Sequence, residues 1–198
     1  MSEQGFEKEF YDLKDWQLVA YCAAVSERMF PNFALFSRLL EFGDAQKMRQ
    51  ILDAVWDHLN NTGAKMNFEV QLDKVEDNIP DLAEYDMYGA IPAQNAIVSL
   101  FSTLNTVLAS DAGEVINIAN LSREVVADFV ELNADDQLSD DELVRYINTH
   151  DLMQQEDEFQ SVILEILQDD ISRGEALKEL RELAHNDGYS NIGISDSE

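Results

Sequence analysis

Apolar residues recur every three or four positions through almost the whole chain, the spacing at which side chains share one face of an α-helix. The clearest stripe occupies residues 44–60 and consists of Met48, Ile51, Leu52, Val55, Trp56 and Leu59. Alternation of apolar and polar residues, which is typical of half-buried strands, is almost absent. Glycine and proline together supply only 11 of 198 residues, too few for a turn-dense all-β fold. The pattern therefore predicts an all-α protein.

Helix start and stop signals divide the chain into segments. Pro31 is expected at the first turn of a helix, where its missing N–H costs nothing, and Asp44 is expected to cap the next helix. Three pairs have the capping-box spacing, namely Asp111 with Glu114, Ser139 with Glu142, and Ser172 with Glu175. Pro80 ends one stripe, and Asn186 with Gly188 ends the last. These signals predict a single compact bundle of about seven to nine helices.

The sequence shows no internal repeat and no linker long enough to separate two domains. We therefore predict one helical domain over residues 1–188 and a short C-terminal tail over residues 189–198. The tail contains Ile192 and Ile194, which are unusual in a free segment, so we expect the SNIGI stretch to dock on the domain.

Compartment and membrane signals point to the cytoplasm. The N-terminus has no basic region leading into an apolar run, and a single cysteine excludes a disulfide scaffold. The 24 residues between Asp86 and Asp111 carry no charge, yet eight of them are Ser, Thr, Asn or Gln. A membrane-spanning helix needs about 20 mostly apolar residues. We therefore predict a buried central helix whose polar stripe, at positions 95, 99, 102 and 106, packs on a neighbour or faces a polar site.

Acidic residues outnumber basic ones 40 to 13, which gives a net charge of −27. Direct binding of nucleic acid or of an anionic membrane is thereby disfavoured, since both need cationic side chains. Residues 128–170 contain 14 acidic residues and a single basic one, Arg145. We predict a surface for a basic partner protein at Asp135, Asp136, Asp140, Asp141 and Glu142. Simple solvation of a charged face is the competing interpretation, and mimicry of a nucleic-acid backbone is a third.

Sequence templates for catalysis and metal binding are not met. A single Glu-x-x-His pair, Glu182 with His185, lacks the second copy that a di-iron bundle requires. The acidic loop at 133–144 has Leu138 and Val144 where a calcium-binding EF-hand needs glycine and glutamate. No P-loop, dinucleotide-binding or nucleophile-elbow motif is present. We therefore predict no cofactor and no metal site, and the sequence leaves open whether the protein is an enzyme.

Several phrases resemble the YjaG-like family of uncharacterised bacterial proteins, a domain of unknown function. They are SERMFPNF (26–33), FGDAQKMRQILDAVW (42–56), AKMNFEVQLDKVEDNIP (64–80), DMYGAIPA (86–93) and SNIGI (190–194). The resemblance covers nearly the whole chain in the same order. It implies a single-domain, all-α, cytoplasmic protein with no established activity, and it carries over no catalytic residue.

Polar residues within these phrases form a second candidate site. If several of them converge, they form either a ligand pocket or a satisfied polar network; they are Glu27, Arg28, Asn32, Arg49, Asn67, Gln71 and Tyr88. Two functional hypotheses result. The first is a non-enzymatic interaction module, which is expected to form a homodimer on base rates, with an acidic partner-binding face. The alternative is a small-molecule-binding protein or metal-assisted enzyme that uses a carboxylate-rich pocket.

Overall fold

The structure, a computed structural model, describes residues 3–63 and 65–195, with the side chains of residues 3–5 excepted. Within this part of the chain, nine α-helices follow one another. Their bounds are α1 Glu3–Phe10, α2 Asp15–Leu40, α3 Ala45–Asn60, α4 Phe68–Glu76, α5 Ala90–Leu108, α6 Ala112–Leu132, α7 Asp140–Thr149, α8 Asp151–Gln168 and α9 Arg173–His185. No strand occurs among these residues, so the predicted all-α bundle is confirmed.

The bundle is organised around α2, which packs most extensively on α5 and also contacts α3, α6, α8 and α9. Small side chains allow α2 and α5 to approach closely. Ser26 of α2 lies 2.7 Å from Ser99 and 2.9 Å from Thr103 of α5, oxygen to oxygen. Ser99 and Thr106 are fully buried, as the polar stripe predicts for a central helix that packs on a neighbour. In the described residues no helix has the length and apolarity needed to cross a membrane.

The prediction that Pro31 starts a new helix is wrong. Pro31 lies inside α2, which continues from Asp15 to Leu40. Proline cannot donate the hydrogen bond that would reach the carbonyl of Glu27 four residues earlier, and an interior proline costs about 3 kcal/mol. The helix nevertheless continues because 18 of its 26 residues are buried, and this burial outweighs the local cost.

Most predicted helix caps are confirmed. The Asp44 carboxylate accepts a hydrogen bond from the Lys47 N–H, and Ser139 and Ser172 form capping boxes with the predicted glutamates. At α6 the structure differs, because the Asp111 carboxylate accepts from the Gly113 N–H two residues later instead of pairing with Glu114. Glycine at this position leaves room for the tighter turn.

The C-terminal segment folds back on the bundle. Ser190, Asn191 and Ile192 are buried, and Tyr189 forms an isolated bridge with Ser195. Ile192 joins the main hydrophobic core, and Ile194 packs against it, as expected for the SNIGI stretch. The last three residues of the predicted tail, 196–198, lie outside the described residues.

Candidate functional site

Glu27 and Arg49, two of the predicted pocket residues, form a bidentate ion pair. The Arg49 Nη1 and Nη2 atoms each lie 2.7 Å from a carboxylate oxygen of Glu27. The Trp56 Nε1–H donates to the same carboxylate at 2.9 Å, and the Glu27 side chain is only 6% exposed. Such forked pairs are among the strongest hydrogen-bonded contacts in proteins. Removing one partner typically costs about 3–5 kcal/mol, so this pair fixes the contact between α2 and α3.

A second arginine extends this arrangement to α9. Arg181 pairs with Asp53 of α3, and the Asp53 carboxylate also lies 3.0 Å from Arg49. Each guanidinium stacks on an aromatic ring: Arg49 lies 5.0 Å from the Phe30 ring centre, and Arg181 lies 5.8 Å from that of Trp56. The result is a chain of alternating charges across α2, α3 and α9.

These residues line an open cleft of about 780 Å³, which we call the α2–α3–α9 cleft. Its walls include Phe30, Pro31, Arg49, Asp53, Lys178, Arg181, Glu182 and His185. The predicted Glu-x-x-His pair therefore faces this cleft. In the part of the chain that the structure describes, no group of three or more His, Cys, Asp or Glu side chains is arranged to hold a metal ion.

Arg28 and Asn32 lie elsewhere, in a buried polar network between α2, α6, α8 and the C-terminal segment. Asn32 donates from Nδ2 to the Asn191 side chain at 3.0 Å, and Asn191 donates in turn to the Ser122 carbonyl and hydroxyl oxygens. Arg28 stacks over the Phe159 ring at 4.7 Å. This network ties the C-terminal segment to α2 and α6.

A buried carboxyl group, that of Glu156 on α8, belongs to the same region. It is 1% exposed, and its Oε1 accepts a hydrogen bond of 2.7 Å from Gln160, which also accepts from the Tyr21 hydroxyl. Burial raises the pKa of Glu156, and this outweighs the opposing effects of hydrogen bonds from Ser122 and Gln160 and of the Arg28 charge. Burial likewise lowers the pKa of Arg28.

The remaining pocket candidates are distributed over other elements. Asn67 caps α4, and Gln71 is buried one turn further along the same helix, where it donates to the Asn67 carbonyl. Tyr88 packs against Phe129, and burial raises the pKa of Tyr88 to about 12. The structure therefore brings Glu27 together with Arg49, places Arg28 and Asn32 in the buried network, and distributes the other three over α4, its N-cap and the segment before α5.

The acidic candidates lie together on the surface at the start of α7. Asp135, Asp136, Asp140, Asp141 and Glu142 are all exposed. Glu142 accepts hydrogen bonds from the Ser139 hydroxyl and N–H, and these hold the pKa of Glu142 below its usual range. None of the ten residues of α7 is buried.

The sequence did not identify three residues that contact the Glu27–Arg49 pair or extend it to α9, namely Asp53, Trp56 and Arg181. The i,i+4 spacing of Arg49 and Asp53 on one helix is a local signal that could have linked them. Trp56 stood out only as a core residue. Arg181 lies 128 positions from Asp53, and no local pattern connects residues at that separation.

Comparisons with known proteins give a consistent family assignment. Residues 5–195 match the family described as "Protein of unknown function (DUF416)". An "Uncharacterized protein YjaG" of Salmonella typhimurium is 38% identical over 185 residues, 92% of each chain, and its Escherichia coli K12 namesake is 36% identical over 184 residues, again 92% of each. The crystal structure of a DUF416 family protein from Shewanella baltica superposes with a TM-score of 0.86 at 34% identity, covering 96% of this chain and 98% of that one. The chain therefore belongs to the DUF416 family of bacterial proteins of unknown function.

Proposed function

We propose that the protein is a cytoplasmic, non-enzymatic interaction module that binds a basic segment of a partner protein through its α7 surface. We define the α7 surface as the five exposed acidic residues 135, 136, 140, 141 and 142 together with Val144 and Tyr146. The observation that carries the proposal is the exposure of α7. A helix of a globular protein normally buries an apolar stripe against its own core. In α7, Ile147 packs against the core but is only partly buried, and none of the ten residues is fully buried.

Apolar and acidic side chains share faces of α7. Val144 is 57% exposed and follows Asp140 and Asp141 by four and three residues, so it lies beside them. Tyr146 is 38% exposed and follows Glu142 by four residues. A partner segment with apolar anchors flanked by lysine or arginine complements this arrangement.

The residues around α7 supply too few positive charges to balance their acidic side chains. Residues 128–170 contain 14 acidic residues against Arg145 alone. The resulting field attracts a basic partner and accelerates its association at low salt. The same field opposes a homodimer through the α7 surface, because two copies would bring like charges together.

The sharpest test places a photo-crosslinking amino acid at Val144 in cells of the native host. The matched control position is Val70 on α4, which is 53% exposed and therefore similarly accessible. We expect an adduct at Val144 and none at Val70, with the crosslinked peptide of the partner basic and amphipathic.

Charge dependence is tested with two variants of equal net charge. One neutralises the α7 surface at residues 135, 136, 140, 141 and 142, with Glu142→Gln chosen because glutamine also fits a capping box. The other neutralises five exposed acids on and after α4, namely Glu69, Asp73, Glu76, Asp77 and Glu84. We expect the Val144 adduct to disappear only in the first. Equal loss in both variants, or an adduct at Val70 of the same yield, contradicts the proposal.

A further inference from the structure

The α2–α3–α9 cleft concentrates cations in a molecule that has few. Arg49, Lys178 and Arg181 are three of the chain's 13 lysines and arginines, and all three line this one cleft of about 780 Å³. The other ten lysines and arginines lie outside this cleft. This cleft is lined by residues of α2, α3, α9 and the C-terminal segment, and none of its lining residues belongs to the α7 surface.

Both arginines are held in place, and Arg181 retains donors that a ligand can reach. A guanidinium has five N–H donors, and its pairing and ring stacking fix its plane before any ligand arrives. Arg181 contacts Asp53 through Nη2. The Arg181 side chain is 43% exposed, so a ligand can reach its remaining N–H donors. Preorganised donors of this kind favour a carboxylate, which accepts two parallel hydrogen bonds.

The cleft carries charges of both signs. Four carboxylates, those of Glu27, Asp53, Glu182 and Asp187, stand against the three cations, so its formal charge is −1. A phosphate or another dianion would add to this negative charge and to the net charge of −27, which disfavours it. A net-neutral zwitterion adds no charge and can pair with both signs. Its ammonium group suits Glu182 and Asp187, which are exposed. Glu182 makes an ion pair of 3.9 Å with Lys178, and because both side chains are exposed this pair is weak enough for a ligand ammonium group to replace it.

The size and the apolar surface of the cleft further restrict the class of ligand that it can bind. Phe30, Pro31 and Ala34 provide an apolar floor, and ligand sites of this size usually combine such a surface with a few charged groups. We propose that the cleft binds a short apolar peptide with free termini, its carboxylate on Arg181 and its ammonium group on Glu182. Because the volume greatly exceeds that of one amino acid, a peptide of two or three residues fits better than a single amino acid.

Titration calorimetry with leucyl-leucine tests the assignment, with three further probes as arms. Leucine tests the length, N-acetyl-leucyl-leucine lacks the ammonium group, and leucyl-leucine amide lacks the carboxylate. We expect leucyl-leucine to bind more tightly than all three. Loss of one charge-assisted contact weakens binding about ten- to a hundredfold.

Variants locate the site. We expect Arg181→Gln and Glu182→Gln each to weaken leucyl-leucine binding about tenfold or more. Arg145→Gln on α7 and Glu179→Gln on α9 change the same charges at exposed positions outside the cleft, and we expect them to leave the affinity unchanged. The proposal is overturned if no heat of binding is seen at concentrations up to about 10 mM, the range of the weakest specific ligands. It is also overturned if the terminally blocked peptides bind equally well or the control variants weaken binding as much.

Discussion

The Glu156 side chain is titratable, yet it is almost completely buried. Its carboxyl loses its proton near pH 4.5 when exposed, whereas burial in the folded protein raises its pKa. The folded state therefore binds this proton more tightly than the unfolded state does. The contribution of the group to stability is full below pH 4.5 and is lost as the pH rises through the folded pKa.

We predict that Glu156→Gln makes the free energy of unfolding less dependent on pH. Glutamine keeps an oxygen for the hydrogen bond from Gln160 and removes the ionisation. Between pH 4.5 and the raised pKa, the variant should gain up to about 1.4 kcal/mol per pH unit relative to the wild type. Urea unfolding at a series of pH values from 5 to 8 measures this difference. The exposed Glu158→Gln on the same helix is the control, and a similar gain there would contradict the cause assigned to Glu156.

Individual residue roles were only partly predictable. Glu27 and Arg49 stood out because both are polar residues within the phrases that resemble the family, and they do meet. Asn191 lay within a phrase singled out for its isoleucines, yet its amide supplies the hydrogen bonds that reach Asn32 and Ser122. A contact between positions 32 and 191 leaves no local pattern, because it depends on how distant elements pack.

Among the elements, the pair α2 and α5 forms the centre of the bundle. Ser99 is fully buried, and its hydroxyl oxygen lies 2.7 Å from that of Ser26. The helices approach closely because the side chains between them are small. A larger side chain at this position must push them apart.

We predict that Ser99→Leu destabilises the protein by about 1–3 kcal/mol or more, the usual cost of inserting bulk into a packed core. Ser99→Ala should cost about 1 kcal/mol, since it removes a hydrogen bond and adds no volume. Ser102→Leu is the matched control on the same helix, because Ser102 is only partly buried. Urea unfolding measures the free energy of unfolding of these three variants. Equal destabilisation by the two leucine variants would refute close approach at Ser99.

Helices were more predictable than residue contacts because their signals are local. The periodic stripe at residues 44–60 located α3, and serine capping boxes marked the starts of α7 and α9. The error at Pro31 has a tertiary cause. Local propensity favours a break there, and only the burial of α2 among five other helices explains its continuation.

For the whole molecule, the dominant electrostatic feature is the net charge of −27. Compaction brings these charges together, so their mutual repulsion opposes folding. Ion pairs between opposite charges respond to salt differently when they are buried. The Glu27–Arg49 pair has a carboxylate that is 6% exposed, and buried pairs are screened by salt much less than exposed charges are.

We therefore predict that sodium chloride stabilises the protein. Raising it from about 0.01 M to about 0.15 M shortens the screening length from about 30 Å to about 8 Å, which weakens long-range repulsion more than the buried attraction. The free energy of unfolding, measured with urea at each salt concentration, should rise on the order of 1 kcal/mol.

The two five-acid variants then separate whole-molecule repulsion from a local effect at α7. Each makes the net charge less negative by the same amount at a different place, so both should flatten the salt dependence to a similar extent. If only the α7 variant flattens the salt dependence, the repulsion is concentrated at the α7 surface. If neither does, or if salt lowers stability, attractive ion pairs dominate and the net charge does not limit folding.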